Sequence, residues 1–136
     1  MQKKKILIID DEKAFTTMLK LNLELTGLYE VATENDPVNA LASALKSSPD
    51  LILLDVIMPN VDGPDIAFQI KNYPLLKGIP IVFLTATVRK EEVKSGGMIA
   101  GHCFVAKTDS LSSLFDTIEN EIILSAHHPH SNGQQG

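Results

Sequence analysis

Asp10 and Asp11 follow directly on the apolar run Ile6-Leu7-Ile8-Ile9. Asp55 follows Leu51-Ile52-Leu53-Leu54, Thr85 follows Ile81-Val82-Phe83-Leu84, and Lys107 follows Cys103-Phe104-Val105-Ala106. Any one Asp after a strand is more often a turn former than a functional group. Four run ends that carry three carboxylates, a hydroxyl and an ammonium are a different matter if the fold brings them to one place. Unit charges about 4 Å apart interact by roughly 4 kcal/mol at an effective dielectric near 20. Clustered carboxylates must therefore protonate, spread apart or hold a cation. All-oxygen ligands in an open site favour a hard divalent ion, and Mg²⁺ suits two carboxylates, retained waters and a phosphate oxygen. Such an ion and Lys107 would supply positive charge where a phosphoryl group gathers negative charge. Asp55 is placed to act as nucleophile, since carboxylates form acyl phosphates, and Thr85 can donate a hydrogen bond to a phosphoryl oxygen.

The elements that must position these groups are legible in the pattern. Unbroken four-residue Ile/Leu/Val runs suit strands buried on both faces, as in a parallel sheet covered by helices. The run Tyr29-Glu30-Val31-Ala32 alternates more, which suits an edge strand, and it ends without an obvious reactive group. Between the runs lie helix signals. One helix starts at Asp11 or Glu12 and ends at Gly27, with Phe15, Met18, Leu19 and Asn22 on one face. Asp36-Pro37 caps a second, to about Ser47. A third runs from about Pro64 to Asn72, and a fourth from Arg89 to Ser95. Asp109 or Ser110 caps a fifth, with Leu111, Leu114, Phe115, Ile118 and Ile122 at helical spacing. Five βα repeats predict an α/β fold: an open, doubly wound, five-stranded parallel sheet between two helix layers. In such sheets, ligands bind outside the carboxyl ends of the strands.

Composition narrows the functions further. The 136 residues are 44% apolar and carry a net charge of −5, which argues against a nucleic-acid backbone as direct partner. Lys3, Lys4 and Lys5 read as a solvated edge. A lone cysteine, Cys103, excludes an internal disulfide and fits a reducing compartment; its apolar setting makes it a small core residue. No apolar run reaches membrane-span length and no signal peptide is visible, so a cytoplasmic protein with no membrane partner is expected. Residues 1–125 are read as one domain. From Ala126 to residue 136 the chain is rich in His, Ser, Asn, Gly and Gln and reads as a disordered tail; His127, His128 and His130 are assigned no metal.

These residues resemble the receiver domain of two-component response regulators, over about residues 4 to 125. The resemblance rests on Asp10-Asp11, on Asp55-Val56-Ile57-Met58-Pro59 with Asp62-Gly63 following, on Thr85-Ala86, and on Lys107. The intervals Asp11 to Asp55, Asp55 to Thr85 and Thr85 to Lys107 are 44, 30 and 22 residues, and match those of the family. It implies a flavodoxin-like sheet of order 2-1-3-4-5 with five helices in three α/β/α layers. It implies that Asp55 takes a phosphoryl group from a phosphohistidine on a sensor histidine kinase or a phosphotransfer protein. Mg²⁺ would be held by Asp11, Asp55 and the backbone carbonyl of Ile57, with Asp10 acting partly through water. Lys107 would pair first with Asp55 and then with the phosphoryl group, Thr85 would move toward it, and Phe104 would turn inward as the aromatic switch. Ile57 and Thr87 occupy positions that tune phosphoryl lifetime in the family. The expected role is that of a switch rather than an enzyme. It acts on a downstream protein or an output domain outside this chain, with a homodimer possible through the face of the fourth helix, fifth strand and fifth helix.

The sequence departs from the family pattern in three places. Thr108 stands where Pro usually follows the lysine; a cis bond there would cost about 2.5–4 kcal/mol, so a trans bond is expected. Gly96, Gly97 and Gly101 weaken the fourth helix, which is expected to be short. Leu21, Leu23 and Leu25 cannot all share the buried stripe of the first helix, so at least one is expected on the surface, where the family docks its phosphodonor. A haloacid-dehalogenase-type phosphatase would need an Asp where Ile57 stands, and a flavodoxin would need a phosphate loop where Asp10-Asp11 stands. No P-loop is present. The remaining alternative is a receiver-fold interaction module that works without phosphorylation.

Overall fold

In a computed structural model, residues 2–86, 98–99 and 101–127 are described. The elements are β1 (Lys4–Ile9), α1 (Lys13–Leu25), β2 (Tyr29–Glu34), a 3₁₀ turn (Pro37–Asn39), α2 (Ala40–Ser47), β3 (Leu51–Asp55), a small hairpin of β4 (Ile57–Met58) and β5 (Val61–Asp62), α3 (Gly63–Lys71), β6 (Ile81–Thr85), β7 (Met98–Ile99), β8 (His102–Ala106) and α4 (Leu111–His127). The sheet order is β2-β1-β3-β6-β8-β7. Its first five strands are mutually parallel, which is the expected five-stranded 2-1-3-4-5 arrangement.

The unbroken apolar runs are explained by burial on both faces. Every residue of β3 and β6 is buried. Odd and even positions feed separate cores: Ile6, Ile8, Leu51, Leu53, Val82 and Leu84 pack under α1 and α4, while Leu7, Ile9, Ile52, Leu54, Ile81 and Phe83 pack under α2 and α3. β2 alternates between buried and exposed positions, as an edge strand should.

Local signals hold in most places. The Asp36 carboxylate accepts from the Val38 N–H, and Pro37 opens the turn. Ser110 Oγ accepts from the Ser113 N–H and so caps α4, with Leu114 and Ile118 buried and Phe115 and Ile122 packed beside them. Three readings are corrected. The buried face of α1 is Thr16, Leu19 and Leu23, so Met18 is surface-exposed and Asn22 turns aside to donate its amide to the Met18 carbonyl. Leu23 is buried while Leu21 and Leu25 are on the surface, 59% and 74% exposed, so the expectation of at least one surface leucine holds. The sheet gains the short antiparallel strand β7, paired with β8; Gly101, at φ 83, makes the tight turn between them. The expected helix 89–95, with Gly96 and Gly97, lies outside the described residues, which hold four α-helices. α4 runs through His127, so Ala126 and His127 are helical rather than part of the expected tail, and residues 128–136 lie outside the description. Among the described residues no peptide bond is cis, so the Lys107-Thr108 bond is trans, as the cost of a non-prolyl cis bond requires.

Candidate functional site

β1, β3, β6 and β8 run parallel, so all four deliver their carboxyl ends to one rim. Asp10, Asp11, Asp55, Thr85 and Lys107 meet there, and Asp11, Glu12, Asp55, Ile57, Thr85, Ala86 and Lys107 line a cleft of about 310 Å³. The rim is held by backbone contacts between neighbouring strand ends: Val56 N–H donates to the Leu84 carbonyl and Lys107 N–H to the Thr85 carbonyl, at 2.9 and 2.7 Å. Gly63 closes the site from below. Its N–H donates to the Val56 carbonyl, and a Cβ there would overlap the Asp55 carbonyl oxygen and lie 2.8 Å from the Val56 Cα. Only a glycine lets α3 start this close to the strand that carries Asp55.

The electrostatics follow from burial. Asp10, Asp55 and Thr85 are buried. Desolvation pushes the Asp55 carboxyl up from 3.8 to about 7; the Asp10 and Asp11 charges push the same way, against Lys107 and the Ile57 N–H. Burial likewise raises Asp10, with its contacts to Lys107 and the Glu12 N–H opposing. Burial alone would lower Lys107, but its bonds to Asp10 and Glu12 win and raise it well above its ordinary value. The ammonium lies 2.7 Å from Asp10 Oδ2, 2.6 Å from Glu12 Oε1 and 3.5 Å from Asp55 Oδ2. The expected ion pair with Asp55 is present, and the structure adds two shorter contacts, to Asp10 and Glu12. Asp10 Oδ2 is buried, and the Lys107 ammonium is its partner.

The cluster of acids bears on metal binding. Asp10, Asp11 and Asp55 each offer a carboxylate oxygen, and these lie within 4.8 Å of one another. Three hard anionic oxygen ligands this close, two of them on buried residues, fit a divalent cation of the Mg²⁺ type. Asp11 is the more open ligand. Ile57 lines the mouth of the cleft, 76% exposed, and its backbone N–H donates to the Asp55 carboxylate.

Phe104, on β8, sits opposite Phe83 and is already partly packed against the α2/α3-side core. Thr87 lies outside the described residues. Cys103 Sγ donates to Glu121 Oε2 at 3.3 Å, and burial raises its pKa, so it is no activated nucleophile.

Sequence reasoning missed two contributors. Glu12, adjacent to the acidic pair, was treated as helix-start material and its contact with Lys107 was not foreseen. Asn35 was hidden because β2 runs two residues further than Ala32. Its amide reaches this rim and donates to the Asp10 carbonyl and to Thr16 Oγ1, tying the loop after β1 to β2.

The comparisons agree with this geometry. The family model described as the response regulator receiver domain matches residues 6–119. The alkaline phosphatase synthesis transcriptional regulatory protein PhoP of Bacillus subtilis is 45% identical over 61% of this chain and 33% of its own length. The nisin biosynthesis regulatory protein NisR of Lactococcus lactis is 34% identical over 87% of this chain and 50% of its own length. The chain thus spans a third to a half of these curated relatives. The solved structure of the chemotaxis protein CheY4 of Vibrio cholerae superposes with a TM-score of 0.76 at 28% identity, covering 88% of this chain and 99% of that one.

Proposed function

The chain belongs to the response regulator receiver domain family, the signalling modules of two-component systems, and from that premise we propose that it is a phosphorylation-switched receiver with Asp55 as phosphoacceptor. The observation that carries this reading is the convergence of Asp10, Asp11 and Asp55 with Lys107 and Thr85 in one cleft. A buried carboxylate beside an ammonium, a hydroxyl and two further acids is suited to phosphoryl transfer and poorly suited to a merely structural role.

The donor is a phosphohistidine on a sensor histidine kinase or a phosphotransfer protein. An Asp55 carboxylate oxygen attacks phosphorus, a P–O bond forms, and the P–N bond breaks. The departing imidazole keeps the electron pair and takes up a proton. Bound Mg²⁺, held by Asp10, Asp11, Asp55 and the Ile57 carbonyl, would supply positive charge against the phosphoryl oxygens. Lys107 neutralises the same charge from the other side, and the Thr85 hydroxyl donates to a phosphoryl oxygen. The acyl phosphate then biases a two-state equilibrium in which Thr85 moves toward the phosphoryl group and Phe104 settles inward. Ile57, at the mouth of the cleft, helps set the lifetime of the adduct.

The exposed Met18 of α1 lies near Phe15 and Lys107 on the rim side of the helix and suits the docking of the donor, with Leu21 and Leu25 extending the apolar surface toward the far end of α1. The output goes to a partner protein or to an output domain outside this chain, with the face that includes β8 and α4 as contact or dimer surface and no direct nucleic-acid contact. Residues 1–127, through the end of α4, form the switch, and the residues that follow are read as a tail. No helix among the described residues is long and apolar enough to cross a membrane, and we place the protein in the cytoplasm.

Acetyl phosphate with Mg²⁺, followed by intact-mass measurement, tests the proposal. A single phosphoryl adduct, absent in Asp55→Asn, is the expected result. No adduct despite measurable Mg²⁺ binding would instead favour an interaction module that works without phosphorylation, and rapid turnover of phosphate esters would point to a phosphatase.

A further inference from the structure

The Lys107 ammonium has three carboxylates within reach and is shared unequally. It donates a hydrogen bond to Glu12 Oε1 at 2.6 Å and lies 2.7 Å from Asp10, but 3.5 Å from Asp55. Its fourth neighbour, the Phe15 ring with its centroid 4.8 Å away, is on the same side. Three of the four contacts therefore come from β1, α1 and the turn between them, and one from β3. Glu12 stands at the N-cap position of α1, where a carboxylate commonly accepts from the first turn. Here no side-chain cap bond forms; the side chain reaches Lys107 instead. Asp10 is fully buried, while the Glu12 side chain is 61% exposed, so Glu12 is the partner most easily displaced.

We propose that Glu12 is a positioning residue for Lys107: it holds the ammonium on the α1 side of the cleft and competes for it with the phosphoryl group on Asp55. This rests on the phosphoacceptor reading above. Phosphorylation then requires Lys107 to exchange Glu12 for a phosphoryl oxygen, and Glu12 slows adduct formation by the strength of the contact that must be given up. A partly exposed ion pair corresponds to about a two- to fivefold effect.

The test is adduct formation at Asp55 from acetyl phosphate and Mg²⁺, followed by intact mass in the full chain, for wild type, Glu12→Gln, Lys107→Met and the double variant. Here the acyl P–O bond breaks and acetate leaves. Glu12→Gln should gain adduct about two- to fivefold faster, and the gain should vanish in the Lys107→Met background. An equal gain without Lys107 would mean that Glu12 merely repels the anionic donor at the mouth, and would overturn the proposal, as would no gain at all. If the Lys107→Met rate is too slow to measure, ¹⁵N NMR of the Lys107 ammonium decides. Its resonance should shift and exchange faster with water in Glu12→Gln before any donor is added, and an unmoved resonance would overturn the proposal. A wild type that takes no phosphoryl group at Asp55 would bring down the phosphoacceptor reading, and this inference with it.

Discussion

Asp55→Asn should make the metal-free protein more stable at neutral and alkaline pH, although it removes a residue at the centre of the site. The Asp55 carboxyl is raised from 3.8 to about 7, first by burial and then by Asp10. A group whose folded pKa lies above its unfolded value contributes stability that is full below about pH 4 and is lost as pH rises through about 7. The difference corresponds to on the order of 4 kcal/mol against the folded state once Asp55 is ionised. Asn keeps the shape and an oxygen for the Ile57 N–H, but carries no charge. Urea unfolding in EDTA should therefore find Asp55→Asn about 2–4 kcal/mol more stable than wild type at pH 8, with the gap closing toward pH 4. A slope of the same sign should remain in the variant, because Asp10 is raised too. Millimolar Mg²⁺ should narrow the gap, since ligand binding stabilises the protein that retains its ligand set. A variant no more stable than wild type at pH 8 in EDTA, or a gap that is constant with pH, would refute the claim that like-charge crowding and burial strain this site.

Mg²⁺ affinity itself should weaken as pH falls below about 7, approaching tenfold per pH unit, because the ion must displace the Asp55 proton; isothermal titration across pH 5.5–8.5 measures this. Gly63→Ala should cost about 1–3 kcal/mol in urea unfolding by forcing α3 away from Asp55 and Val56, and should slow adduct formation more than an equally destabilising core change such as Ile118→Val. Ser110→Ala removes the cap of α4 and should cost about 1 kcal/mol, with adduct formation unchanged.

The sheet was legible because burial on both faces leaves no room for polar residues: Leu51 to Leu54 and Ile81 to Leu84 carry none, and each sits wholly inside. The rim was legible for the same reason, since a reactive residue that ends such a run is delivered to the carboxyl edge. Smaller features escaped. The β4/β5 hairpin and β7 are two-residue strands, too short to show a period. The buried face of α1 escaped because it includes Thr16, polar by type but buried in the fold with its hydroxyl paired: Oγ1 accepts from Asn35 and donates to the Lys13 carbonyl.

What sequence cannot rank is partners of like chemistry. Asp10, Asp11, Glu12 and Asp55 are all carboxylates, and any of them could neutralise Lys107 on composition alone. Family resemblance favoured Asp55. In the fold, position separates them: the turn after β1 brings Glu12 and Asp10 to 2.6 and 2.7 Å from the ammonium, while Asp55 at the end of β3 stays at 3.5 Å. Lys107 therefore sits on the α1 side of the cleft. A cation among Asp10, Asp11 and Asp55 would change that balance, because it would compete with Lys107 for the oxygens of Asp10 and Asp55 that the ammonium now contacts. Metal loading and the position of Lys107 would therefore be coupled through these two carboxylates, and on the phosphoacceptor reading a metal-loaded site would leave the lysine freer to meet a phosphoryl oxygen.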